Sequence, residues 1–412
     1  MKPGRRRFLL GSLAGVAALG AGGWSMARSS VVNPCRAALP PELATHPLIR
    51  AAWSGLDASK VWDVHTHIAG IGDGNTGIEI GPEMTSLFHP IQYAQRLFFM
   101  NAGCAHKAPG RVDQSYVERL ENLIDGMAPG FRILLFAFDR FHDEAGQAHA
   151  ERSTFYVPNA YAAGLVQKHN GRFEWAASIH PYRTDAVDAL QQAAQQGTRA
   201  VKWLPAAMGM DPASAKCDAF YRELVRRDLP LIVHCGKEEA VKGGDTQHLG
   251  NPLRLRRALD AGVRVVVAHC ASMGEDADLD QAGTPQRPSF DLFARLMDEP
   301  RAMGRLYADI SAVIQRNRPV SVVRTLLERR DWHGRLLNGS DYPVPGILPL
   351  ISPSAWVRAG LLDAAAATVL ETVREHNPLL FDFVLKRSLR LAGQGFPVNV
   401  FETRPFFEKA PS

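Results

Sequence analysis

Cysteine is scarce: Cys35, Cys104, Cys217, Cys235 and Cys270 are the five in 412 residues, and no two are spaced Cys-x-x-Cys. That excludes zinc ribbons and thioredoxin-type redox motifs. A chain this long can bury a large core, so no disulfide framework is needed to hold it. No Gly-x-Gly-x-x-Gly turn follows any β-like run, which argues against an open dinucleotide-binding sheet. No repeat of about 20–50 residues stands out, which excludes solenoids and propellers. Excess charge of one sign is confined to one end. Lys2, Arg5, Arg6 and Arg7 face no acid within residues 1–27, and removing them from a net charge of +5 leaves +1. The body is nearly neutral, so the composition gives no case for nucleic acid or a membrane surface as partner. With 46% apolar and 22% charged residues, the remainder is composed like an ordinary globular protein.

The basic start leads into the apolar, Gly- and Ala-rich stretch Phe8–Gly23, and Ser25-Met26-Ala27 offers small residues to a signal peptidase. Arg5-Arg6-Arg7-Phe8-Leu9 resembles a twin-arginine export signal. The expectation is a signal peptide over 1–27, the twin-arginine export machinery as partner, and a periplasmic protein. An uncleaved membrane anchor is the competing outcome, although the stretch is short against a span of about 20 residues. Residues 28–59 read as a linker and N-terminal extension, with Pro34, Pro40, Pro41 and Pro47.

Eight β-like runs follow: Val61–His67, Phe131–Phe138, Phe173–Ile179, Arg199–Leu204, Pro230–His234, Val263–His269, Arg305–Ile310 and Arg335–Gly339. Helical patterns separate them, among them Ala186–Gln196, Cys217–Asp228, Asn251–Ala261, Phe290–Asp298 and Val320–Arg330, and one closing helix fits Asp363–Leu389. Alternation of this kind predicts parallel β/α units, and eight of them over 60–390 predict an α/β protein of the (β/α)8 TIM-barrel class. Residues 391–412 read as a tail. One long insertion, Ala69 to about Gln114, follows the first strand and is expected to form a lid or substrate loop.

The chemistry gathers at the strand ends. Strand one ends Asp63-Val64-His65-Thr66-His67, and strict alternation would put Asp63, His65 and His67 on one face. One His-x-His alone is weak, since 14 histidines in 412 residues give roughly half such a pair by chance. The other ends strengthen it: Lys202 on strand four, His234 on five, His269 on six and Asp341 just past eight. In a barrel these ends converge on one rim. Imidazoles and a carboxylate suit a divalent metal, zinc above all. Asp341 and His269 are the candidate catalytic residues. Arg183, with His180 before it, would offer a cation to an anionic substrate, and Tyr342 is a further candidate substrate contact. Asp309 and Ser311 end strand seven and suit a supporting role. Cys235 and Cys270 read as small buried hydrophobes; Lys237-Glu238-Glu239 with His248 form a loop at the same rim, within reach of substrate but read first as solvated.

Taken together, these motifs resemble the amidohydrolase superfamily of metal-dependent hydrolases, nearest its branch of aminocarboxymuconate semialdehyde decarboxylase relatives. The marks are Asp63–His67, Val201-Lys202-Trp203-Leu204-Pro205, His234, Ala268-His269-Cys270, Ala308–Ser311, Gly339-Ser340-Asp341-Tyr342-Pro343 and Asn377-Pro378-Leu379-Leu380-Phe381. The resemblance implies His65, His67 and Asp341 at a first metal. In two-metal members His234 and His269 would hold a second, bridged by Lys202 carboxylated on nitrogen. In one-metal members His234 joins the first site and His269 faces the water. The implied activity is hydrolysis of an amide, ester or lactone bond of a small molecule, with Asp341 as proton shuttle. The alternative is metal-dependent decarboxylation of a small unsaturated or aromatic acid. A homo-oligomer is compatible with either.

Overall fold

The computed structural model describes residues 32–105, 109–169, 171–241 and 244–408; the signal peptide expected over 1–27 lies outside them. Eight strands run in chain order around one sheet: β1 (Trp62–His67), β2 (Arg132–Phe136), β3 (Phe173–Ala177), β4 (Ala200–Trp203), β5 (Leu231–His234), β6 (Val265–Ala268), β7 (Leu306–Asp309) and β8 (Leu336–Leu337). Every pairing is parallel. The chain just past β8 meets β1: Val64 N donates to Asn338 O (3.2 Å), Asp341 N to His65 O (2.8 Å) and His67 N to Tyr342 O (2.8 Å). The architecture is the expected (β/α)8 barrel.

Strand alternation sorts the residues into two layers. Trp62, Val64, Leu134, Phe136, Ala176, Ala200, Ile232, Val266 and Leu337 fill the barrel interior with Phe407. Val201, Trp203, Val233, Cys235, Val267 and Cys270 pack outward in the layer beneath the helices. Phe407 corrects the reading of 391–412 as a tail. It stacks on Trp62 at 6.0 Å, and Thr403 Oγ1 both accepts from Trp62 N (3.2 Å) and donates to Trp62 O (2.7 Å). The C-terminal segment thus plugs the end of the barrel at which the strands begin.

The N-terminal extension is likewise packed rather than a free linker. Pro41 and Pro47 open short helices, Pro41–Ala44 and Pro47–Trp53, where a missing N–H costs nothing. Trp53 stacks on Phe383 at 4.3 Å. A disulfide joins Cys35 to Cys104, at the end of the insertion after β1. That insertion carries helix α1 (Pro90–Ala102), and Gln95 Nε2 donates to Glu239 O (2.9 Å) in the loop after β5, so α1 reaches across the rim. The single closing helix is in fact two, α2 (Ala364–His376) and α3 (Pro378–Ser388). Pro378 cannot continue α2, and Asn377 instead caps α3 by accepting from Leu380 N (3.0 Å).

Candidate metal centre

The site begins with an irregularity in β1. Asp63 pairs with Ile133 but Thr66 with Leu135, so β1 advances three residues while β2 advances two. This bulge breaks the alternation. Trp62 and Val64 keep the interior, and His65 and His67 still turn towards the ring of Phe136, at 4.7 and 5.7 Å. Asp63 does not share their face. Its Oδ1 accepts from His65 N (3.0 Å) and Ser340 N (2.8 Å), fastening β1 to the segment that carries Asp341.

Asp341 Oδ1 lies 3.1 Å from His67 Nε2 and 3.4 Å from His65 Nε2. These three ligand atoms lie within 4.8 Å of one another, the spacing that one shared ion requires. The hydrogen bonds behind them set the tautomers. His65 Nδ1 lies 2.9 Å from Asp309 Oδ2, a pure acceptor, so Nδ1 carries the proton and Nε2 keeps its lone pair. Burial holds His65 well below the usual imidazole pKa, which keeps it in the neutral, ligating form. The donor set, two imidazoles and a carboxylate, fits a divalent metal. His65, His269 and Asp309 also cluster closely. There the geometry is one of support, because the His65 nitrogen facing Asp309 is its protonated one.

His269 is built in the same way. Its backbone N donates to Asp309 Oδ1 (3.0 Å), and its Nδ1 lies 2.7 Å from Ser311 Oγ and 3.2 Å from Ser311 O. The Ser311 hydroxyl donates to Asp309, leaving its oxygen to accept from His269. His269 therefore also presents a bare Nε2. Asp309 is fully buried and orients two histidines at once. Sequence reading gave it only a supporting part, and that is the part it plays.

Lys202 lies where the sequence placed it. Its Nζ is 3.5 Å from His65 Nε2, and burial lowers its pKa to about 8. His234 is close by, with its ring 5.4 Å from that of His269, but its Nε2 faces Glu238 Oε2 at 3.3 Å, and it stands outside the three-ligand group. Burial takes its pKa down to about 3.

Three candidate substrate contacts are placed elsewhere. His180 is fully buried against His142 at 4.6 Å, and burial lowers its pKa to about 2, so it is no cation. Arg183 is spoken for by Asp139 (3.0 Å) and Asp185 (2.8 Å). Tyr342 is buried in the outer layer beside Tyr116 and is wall rather than contact. One residue departs from its preferred sequence reading, and one emerges that the sequence did not single out. Glu238, read as part of a solvated loop, is buried: its Oε1 accepts from Ala240 N (2.6 Å) and Val241 N (3.1 Å), and burial raises its pKa. Arg318, in the loop after β7, donates from Nη1 to Ser272 Oγ (2.6 Å), three residues beyond His269. The hint of Glu238 was the place of its loop at the rim after strand five, and nothing marked Arg318.

No curated protein sequence matches the chain. Among solved structures, it is similar to an uncharacterised TIM-barrel protein from Bordetella bronchiseptica, with 15% identity, 73% of this chain and 90% of that one covered, and a TM-score of 0.46. It is also similar to a manganese-bound variant of 5-carboxyvanillate decarboxylase from Novosphingobium aromaticivorans, at 13%, 85% and 99%, with a TM-score of 0.45. A third is 2,6-dihydroxybenzoate decarboxylase from Rhizobium, at 12%, 78% and 98%, with a TM-score of 0.39. The family described as Amidohydrolase matches residues 62–380, from the first residue of β1 into α3. With that stretch holding all eight strands and every residue of the metal centre, the chain belongs to the amidohydrolase family.

Proposed function

We propose that this chain is an exported metal-dependent hydrolase that cleaves an amide, ester or lactone bond of a small molecule. The observation that carries the proposal is the convergence of His65 Nε2, His67 Nε2 and Asp341 Oδ1 at the rim of the barrel. A divalent ion held there, zinc in this reading, supplies Lewis acidity, polarising a carbonyl and acidifying water. Asp341 takes the proton of the attacking water and delivers it to the leaving group. His269 orients that water by accepting a hydrogen bond at its bare Nε2. The same tautomer leaves it no proton with which to stabilise an oxyanion. One ion suits the three-ligand group. A second would need Lys202 carboxylated and His234 released from Glu238.

The test is a panel of esters, lactones, amides and carboxylic acids, run in ¹⁸O-labelled water with the metal content measured. Hydrolysis puts label into a new carboxyl group and releases no carbon dioxide. Carbon dioxide without incorporated label would replace this reading with the decarboxylase.

Export has independent support in the Cys35–Cys104 bond, since disulfides persist in oxidising compartments. Replacing Arg5-Arg6 and Arg6-Arg7 by lysine pairs should hold the protein in the cytoplasm. Unchanged export of both variants would reject the twin-arginine route.

A further inference from the structure

Nine large apolar side chains are exposed among the described residues, and five of them gather in one place: Leu87, Phe88, Ile91, Leu97 and Phe98, on α1 or just before it. Phe88 is 94% exposed and Leu87 76%. Single exposed apolar residues need no explanation, but a group of them marks a surface that something covers.

The helical repeat sorts α1 into two arcs. Ile91 and Phe98 are seven residues apart and Leu97 adjoins Phe98, so the three share the outer arc. The other arc holds the helix to the barrel. Met100 is buried, Phe99 meets Phe155 at 6.4 Å, and Gln95 Nε2 donates to Glu239 O (2.9 Å). The apolar arc is therefore held facing outward.

Two observations say what covers it. The first is charge. No Asp or Glu occurs between residues 84 and 112, whereas Arg96, Lys107 and Arg111 do. Arg111 pairs with Glu118 at 2.9 Å, and the Arg96 guanidinium lies over the Tyr93 ring at 5.0 Å. A second copy on a two-fold axis would set this segment against itself, cation facing cation. Anionic lipid headgroups would meet no acid within it. The second observation is where the chain comes from. Asn33 N donates to Asn101 Oδ1 (2.9 Å) and Cys35 is bonded to Cys104, so the chain enters the fold beside the end of α1. The apolar stretch Phe8–Gly23 is thus attached on this side of the barrel. With 13 residues α1 is short against the about 20 needed to span a bilayer, so a lipid contact would be lateral, in the headgroup region.

We propose that the outer arc of α1, with Leu87 and Phe88 inserted deepest, seats this protein on the surface of an anionic phospholipid bilayer. The near-neutral charge of the whole body conceals this, because the surface is local. The proposal is independent of the metal centre and of the reaction.

The probes are vesicles of phosphatidylethanolamine with phosphatidylglycerol, and vesicles of phosphatidylcholine alone. The native protein should float with the anionic vesicles and less with the neutral ones. Leu87→Ser/Phe88→Ser, with the same N-terminus, should bind the anionic vesicles about tenfold more weakly or worse, since each lost side chain forfeits its burial in lipid. Both positions are exposed, so the variant should unfold at the native temperature. An environment-sensitive dye then locates the contact. It is attached through Phe88→Cys, or through Met303→Cys, which is exposed just before β7 at the other end of the barrel. The three free cysteines of the native protein are buried and should not react. Anionic vesicles should shift the dye at 88 to the blue and leave the dye at 303 unchanged. Equal vesicle binding by the native protein and the double variant would overturn the proposal, as would no shift at 88 or an equal shift at both sites. So would a dimer in solution that the double variant breaks, which would give the face to a second copy.

Discussion

Asp341→Asn is expected to lower turnover by about 10²–10⁴-fold, the usual worth of a positioned general base. The barrel should stay folded and the histidines should retain some metal. The substitution suits the backbone, because Asp341 has φ 64° and asparagine tolerates the left-handed region as well as aspartate does. It also keeps one acceptor oxygen for the neighbours of Oδ1, His65 and His67. What it removes is basicity, so the loss should lie in kcat. The check is steady-state kinetics together with metal analysis of the same preparation. Near-normal turnover with metal bound would move the proton transfer to His269 or to the substrate.

The largest stability effect is expected behind the site. Lys386 and Asp382 form a fully buried pair on α3, 2.7 Å apart, and Lys386 Nζ also donates to Gly339 O (2.5 Å), two residues before Asp341. Asp382→Ala leaves the ammonium buried without its counter-charge and should cost about 3–5 kcal/mol. Lys386→Met should cost less. Burial raises the Asp382 pKa, so once Lys386 is gone the carboxyl can shed its charge by taking a proton. Urea unfolding of both variants measures the asymmetry. Equal losses would contradict it.

The barrel was legible because its signal is local. Apolar runs alternating with helical patterns state the parallel topology, and all eight predicted strands are present. His234 and His269 were legible at the rim because each follows directly on an apolar run, Ile232-Val233 and Val267-Ala268. What stayed hidden depends on contacts distant in sequence. The bulge that separates Asp63 from His65 appears only through pairing with β2, 70 residues on by Asp63↔Ile133. The burial of Glu238 depends on how its loop folds back, through bonds such as that of Gln95 Nε2 on α1 to Glu239 O. Arg183 cannot be told from a free arginine by residue type, because the difference is whether a carboxylate elsewhere in the chain, here Asp139, has already taken the charge. The Cys35–Cys104 bond was missed because size alone made a disulfide unnecessary to the core. Its place is peripheral, tying the N-terminal extension to the insertion.

The measurement that bears most directly on this account is the metal content of the native protein and of the His65→Ala/His67→Ala double variant, each confirmed as folded by circular dichroism. Asp341 cannot hold an ion alone, and His65 is the ligand whose orientation Asp309 secures. The account predicts a bound divalent ion in the native protein and its loss from the double variant with the barrel intact. Full occupancy in the folded double variant would contradict it.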